Sequence, residues 1–122
     1  MMWSWPKKND DFMIDPSSKN IIIEYLASHK GVKKSHPFEK NIDLYTVNEQ
    51  MFALINNKNP IIISLRCDKI LSKFLQEKYE SVMPGQKLDQ DKWISIVNSG
   101  QVPIDEIKDL ITLSYNIAKE IA

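Results

Sequence analysis

The sequence predicts an α+β fold: a two-layer sandwich in which an antiparallel sheet of about five strands carries its helices on one face, in the order α-β-β-β-α-β-β-α. Three observations predict it. Three segments place apolar residues at helical spacing, the runs between them have β character, and the strands are joined by short polar turns rather than by the long crossovers of a parallel sheet. With 122 residues, 43% hydrophobic and 26% charged, the chain has the size and composition of one globular domain, which excludes disordered, collagenous and fibrous classes. Residues 16–122 read as that domain, and residues 1–15, which lack periodicity, as an irregular N-terminal arm.

Each element has a local cause. Asp15 before Pro16 offers an N-cap and a first-turn proline, and Ile22, Tyr25, Leu26 and His29 then recur at helical spacing up to a stop at Gly31. After a polar stretch containing His36-Pro37-Phe38, strands are expected at Leu44–Val47, Met51–Ile55 and Ile61–Arg66, with turn residues at Asn48-Glu49-Gln50 and from Asn56 to Pro60. Asp68 can cap a second helix, in which Ile70, Leu71, Phe74, Leu75 and Tyr79 read as one apolar stripe. Pro84-Gly85 breaks the chain, and Gln86–Leu88 and Trp93–Val97 are expected to pair as a second hairpin around Asp89-Gln90-Asp91-Lys92. Pro103 opens the last helix, which lines up Ile104, Ile107, Leu110, Ile111, Ser114, Ile117, Ala118 and Ile121 on one face. Placing the helices on one side leaves the other sheet face free, a surface suited to recognition more than to chemistry in a pocket.

Composition narrows the function classes. No uncharged apolar run comes near the ~20 residues of a membrane helix, and Trp3 and Trp5 precede Lys7-Lys8 in the wrong order for a secretory signal. The single cysteine, Cys67, excludes an intramolecular disulfide and any multi-cysteine metal site, which agrees with a reducing, cytoplasmic setting. His29 and His36 are the only histidines and do not form an i, i+4 pair, so no metal is expected. The three glycines form no phosphate loop, and no cofactor is expected. The paired acids Asp10-Asp11, Asp89/Asp91 and Asp105-Glu106 sit at turns or helix starts, where they suit solvation and the helix dipole rather than acid–base work. Arg66-Cys67-Asp68 joins a cation, a thiol and a carboxylate, yet it reads as a buried cysteine beside a capping aspartate. The expectation is a binding protein and not an enzyme.

Lys+Arg and Asp+Glu both number 16, and Arg66 is the only arginine, unlike a dedicated duplex reader with its basic surface and guanidinium forks. A local surface for phosphates remains available. Lys87 and Lys92 flank one turn, Lys58 sits at another, and Lys33 and Lys34 follow the first helix. Arg66 stands at a strand end. Trp93 either stacks on an unpaired base or packs in the core or at a sheet end. Trp3 and Trp5 either anchor at a membrane surface or partner, or pack on their own domain.

From residue 31 to residue 116 the chain resembles the MmcQ/YjbR family, small bacterial proteins of CyaY-like fold described as predicted DNA-binding proteins with a double-wing motif. The resembling pieces are His36-Pro37-Phe38, Met51-Phe52-Ala53-Leu54, Ser64-Leu65-Arg66-Cys67-Asp68, Met83-Pro84-Gly85, Trp93 and Ser114-Tyr115, in that order. The resemblance implies the fold and a DNA-contacting hairpin. Members carry a histidine- and lysine-rich stretch before the tryptophan, whereas this chain reads Gln86-Lys87-Leu88-Asp89-Gln90-Asp91-Lys92, of zero local charge. A frataxin-type iron surface, suggested by the same fold, needs an acidic ridge on the first helix, where only Glu24 stands.

The function expected is weak, low-specificity DNA binding through lysine-bearing hairpins, with Lys33, Lys34, Lys58, Arg66, Lys87, Lys92 and Trp93 as contacts. The alternative is a protein-interaction or chaperone-like module with no nucleic-acid role. In either case a monomer or weak dimer without a membrane partner is expected.

Overall fold

Three helices and six strands form in the order α1 (Pro16–Ser28), β1 (Val32–Ser35), β2 (Ile42–Val47), β3 (Gln50–Asn56), β4 (Ile62–Arg66), α2 (Lys69–Lys78), β5 (Val82–Pro84), β6 (Trp93–Val97) and α3 (Ile104–Ile121). The structure is a computed structural model and describes residues 16–38, 40–85 and 88–121. The predicted N-terminal arm and Lys87 therefore lie outside the described residues.

The strands make one antiparallel sheet in the order β1-β2-β3-β4-β6-β5. It has one strand more than expected. The polar segment Val32–Ser35 has no apolar alternation, yet it pairs with Leu44–Val47 along the sheet edge, where the backbone ladder alone suffices. The strand found to pair with β6 is Val82–Pro84, while Gln86 and Lys87 of the strand expected at Gln86–Leu88 lie outside the described residues. Proline is tolerated there because β5 is an edge strand.

Side chains directly opposite one another share a face, so the register sorts the sheet into two surfaces. Ile55, Ile63, Ile96 and Val82 form one cross-strand line, and Ala53, Leu65 and Ile94 belong to the next. These residues share a single core with Ile22 and Leu26 of α1, Leu75 of α2, and Ile107, Ile111 and Ala118 of α3. The intervening line, Ser35, Leu44, Leu54, Ser64, Ser95 and Met83, crosses all six strands and points away from that core, but Leu44, Ser64 and Ser95 are buried, so the middle of this face is not the free surface expected from the sequence. Two layers with the helices on one face result, as the sequence predicts.

Local caps hold the elements. The Asp68 carboxylate accepts from the Leu71 N–H at 2.9 Å, so it is the N-cap of α2. Gly31 ends α1 at φ +81°, a conformation that costs glycine little. Asn48 and Glu49 close the β2–β3 hairpin at φ 50° and 66°, a two-residue turn of the primed kind that twists with the strands.

A bulge interrupts β3. Tyr45 is opposite Ala53 and Thr46 is opposite Met51, which leaves Phe52 as the extra residue. Phe52 is turned to the helix side, where its ring meets Tyr115 edge-on at 5.6 Å. The Ser114 hydroxyl accepts from the Arg66 backbone N–H at 2.8 Å and donates to the Phe52 carbonyl at 2.5 Å. Arg66 Nε donates to the Met51 carbonyl at 2.5 Å. One hydroxyl on α3 and one guanidinium thus satisfy the backbone at the bulge.

Removing a partner from a buried backbone group costs roughly 1–3 kcal/mol, and Ser114 serves two, so Ser114→Ala is expected to lower unfolding free energy by about 2–4 kcal/mol in urea titration. Glu49→Gly relieves a positive φ and is expected to raise it, by roughly 0.5–1 kcal/mol in the same titration.

Candidate functional site

The sequence-derived contacts are not brought together at one place. Lys58 lies in the β3–β4 connection, at the end of the sheet marked by Asn56 and Ile62. Lys92 precedes Trp93 at the opposite end, beside Arg66, with its carbonyl accepting from the Cys67 N–H at 2.8 Å. The length of β4, about 13 Å at 3.3 Å per residue, separates the two, so the expected pair of wings does not converge.

Lys33 and Lys34 are split between the faces, since neighbours on a strand alternate. Lys33 is opposite Thr46 and belongs to the face opposite the helices. Lys34 is opposite Tyr45 and turns to the helix side, where its Nζ lies 3.7 Å from Asp43. The buried Asp43 carboxylate is also met by His36 Nδ1 at 2.8 Å and accepts from Asn57 Nδ2 at 3.1 Å. This cluster ties the β1–β2 connection to the next hairpin, and it accounts structurally for the histidine of the His-Pro-Phe motif. Tyr45 is pushed up to about 12, first by burial and then by the Asp43 charge.

His29 serves the helices instead. Its Nδ1 lies 2.8 Å from the Tyr25 carbonyl, which fixes that nitrogen as the donor, and Nε2 lies 3.2 Å from Thr112 Oγ1. Thr112 Oγ1 is in turn 2.7 Å from the Tyr25 hydroxyl. The two histidines are therefore occupied in separate networks. Among the described residues no three of His, Cys, Asp and Glu gather to hold a metal ion.

Trp93 is 5% exposed and sits on the sheet face opposite the helices, outside the main core, with the Arg66 guanidinium carbon 4.8 Å from its ring centroid. It packs at the sheet end and offers no ring face for a base to stack on. Gly85 stands against it: a Cβ on Gly85 would come within 2.7 Å of Trp93 Cβ, and the Gly85 N–H donates to the Trp93 carbonyl at 3.0 Å. The Pro84-Gly85 break and the tryptophan are thus one packing unit.

The residues missed by the sequence reading are on α2. Ile70 is 85% exposed and Phe74 57% exposed, while Leu75 and Tyr79 are buried. They do not share a stripe. At about 100° per residue, Ile70 and Leu75 stand about 140° apart, so an angular reading of α2 resolves two ridges where linear spacing suggests one. Lys69, Lys73, Glu77 and Lys78 complete the exposed face, and Lys78 Nζ lies 5.9 Å from the Phe74 ring centroid.

Cys67 is buried in the core, and its thiol is pushed up to about 11, first by burial and then by the Asp68 carboxylate. A thiol raised above its ordinary value of 9.0 favours the folded state below that value, and this stability is lost as pH rises toward 11, because only the unfolded chain releases the proton. Urea midpoints are expected to fall between pH 9 and 10.5, with a loss on the order of 2 kcal/mol that Cys67→Val removes.

Comparison with known proteins places this arrangement in a family. The YjbR family model matches residues 27–117. YyaQ of Bacillus subtilis is 28% identical over 117 residues, covering 84% of this chain and 98% of that protein. YjbR of Escherichia coli K12 is 22% identical over 98 residues, covering 80% and 83%. The crystal structure of Deinococcus radiodurans protein DR2400 superposes with a TM-score of 0.80 at 20% identity, covering 84% of this chain and 78% of that one. A Pseudomonas syringae protein of solved structure gives 0.72 at 22% identity, covering 82% and 97%. With the bulge, the capped second helix and the Gly85–Trp93 contact all falling within the matched span, the chain belongs to the YjbR family.

Proposed function

We propose that this chain is a binding protein, not an enzyme, and that it holds a protein partner through the outward face of α2. The observation that carries the reading is the exposure of Ile70 and Phe74 at i, i+4 on one ridge. Single exposed apolar residues are ordinary, but two large ones stacked along a short helix make a contiguous apolar strip of the kind that partners cover. Zero net charge suits protein recognition better than phosphate tracking. The only cysteine is buried with a raised thiol, which supports no nucleophilic role and suits a cytoplasmic setting.

Weak, low-specificity DNA contact is the second reading. It is favoured by the grouping of Lys33, Arg66 and Lys92 toward one end of the sheet, on the face opposite the helices. It draws less support because Trp93 is covered, Lys34 meets Asp43, Lys58 lies at the far end, and Asp89 and Asp91 precede Lys92 in the same turn.

Affinity capture after nuclease digestion tests both. The protein-partner reading expects a retained protein that is lost when Ile70 and Phe74 are both changed to alanine. The DNA reading expects binding that weakens steeply with salt, with Lys33→Ala plus Lys92→Ala reducing the slope by roughly one unit per phosphate contact. Capture that survives Ile70→Ala plus Phe74→Ala would remove α2 as the contact surface.

A further inference from the structure

The chemistry of the partner can be read from the same face of α2, and the inference rests on the protein-partner reading above. The exposed arc of the helix runs, at about 100° per residue, through Lys69, Lys73, Glu77, Ile70, Phe74 and Lys78, with the apolar pair between Glu77 and Lys78. Three lysines and one glutamate give this face a charge of +2 in a chain whose net charge is zero. Lys69 Nζ lies 3.8 Å from Asp91 Oδ1. Among the described residues, Lys73 and Lys78 have no carboxylate within ion-pair distance.

We infer that α2 docks an acidic amphipathic helix of a partner protein, whose apolar residues cover Ile70 and Phe74 and whose carboxylates meet Lys73 and Lys78. An i, i+4 ridge fits the groove between the ridges of a second helix, which selects a helix over an extended peptide. Unpaired cations on the rim select acids, which gives specificity and orientation more than raw affinity.

The other occupants fit less well. A second copy of this chain meeting α2 about a two-fold axis would set lysines against lysines. An anionic lipid surface would attract the lysines but repel Glu77, which lies between Lys73 and Ile70 on the arc, and two side chains bury little apolar area in a bilayer. A protein partner can place a basic group opposite Glu77.

The test uses the full chain and two synthetic helical peptides with leucine at i and i+4, one flanked by glutamates and the other, otherwise identical, by lysines. Fluorescence anisotropy is expected to show binding of the acidic peptide at least about tenfold tighter than of the basic one, equivalent to 1.4 kcal/mol. Ile70→Ala and Phe74→Ala should each weaken it. Lys73→Glu plus Lys78→Glu should reverse the preference, while circular dichroism stays unchanged because all four side chains face solvent and the urea midpoint falls only slightly, through the loss of Lys78 at the helix C-terminus. Equal or undetectable binding of both peptides, or preference for the basic one, overturns the inference. So does binding to vesicles of anionic phospholipid in place of the peptides, or a self-association in sedimentation that Phe74→Ala abolishes. A nuclease-resistant partner that depends on Ile70 and Phe74 but is indifferent to the charge reversal would reject the acidic helix and leave the protein-partner reading standing.

Discussion

The fold depends on how the break in strand β3 is repaired. A bulge turns Phe52 into the core and leaves backbone groups of β3 and β4 without ladder partners at a point covered by a helix, where water cannot substitute. Ser114 supplies the missing bonds to Phe52 and Arg66, and Tyr115 packs on the ring that the bulge delivers. A helix held only by an apolar stripe can slide; a hydroxyl that must reach two backbone groups on neighbouring strands fixes α3 along the sheet. The Arg66 side chain, bonded back to Met51, then lies over Trp93 and covers it. The core on one face and the packing on the opposite face thus share one residue pair on β4 and α3.

The division of surfaces follows from that arrangement. Every described helix that contributes to the core does so on the same face of the sheet, and the opposite face keeps Leu44, Leu54, Ser64, Ser95 and Trp93 outside it. The sheet edges are guarded against pairing with other chains, β1 by adjacent lysines and β5 by its shortness and Pro84. Strand addition is therefore a poor route to a partner. The exposed ridge of α2 has no such guard, and the sequence spends an isoleucine and a phenylalanine where a solvated helix face would carry polar residues.

What could be read from residues was whatever local chemistry fixes. Pro16, Gly31, Asp68 and Pro103 mark helix boundaries through backbone restrictions and capping that act within a few residues, and the hairpin turns likewise announce themselves. The apolar period named α3 and most of its buried face, although Ile121 is exposed and Tyr115, off the expected stripe, is buried. The sixth strand was hidden because an edge strand of sequence Val-Lys-Lys-Ser needs no apolar face, and the short β5 because proline ordinarily argues against a strand.

The sequence by itself determined the fold class and, apart from the edge strand β1, the element order, because these rest on periodicity, caps and turns; the family was legible in the ordered motifs that the chain shares with it. Only the tertiary structure decided where the candidate residues stand. Whether Lys58 and Lys92 stand together depends on strand direction, whether Lys33 and Lys34 share a face depends on register, and whether Trp93 is open depends on the guanidinium that lies over it. Which ridge of α2 faces water depends on where β5 and the core meet the helix, a long-range contact that no short span of sequence encodes.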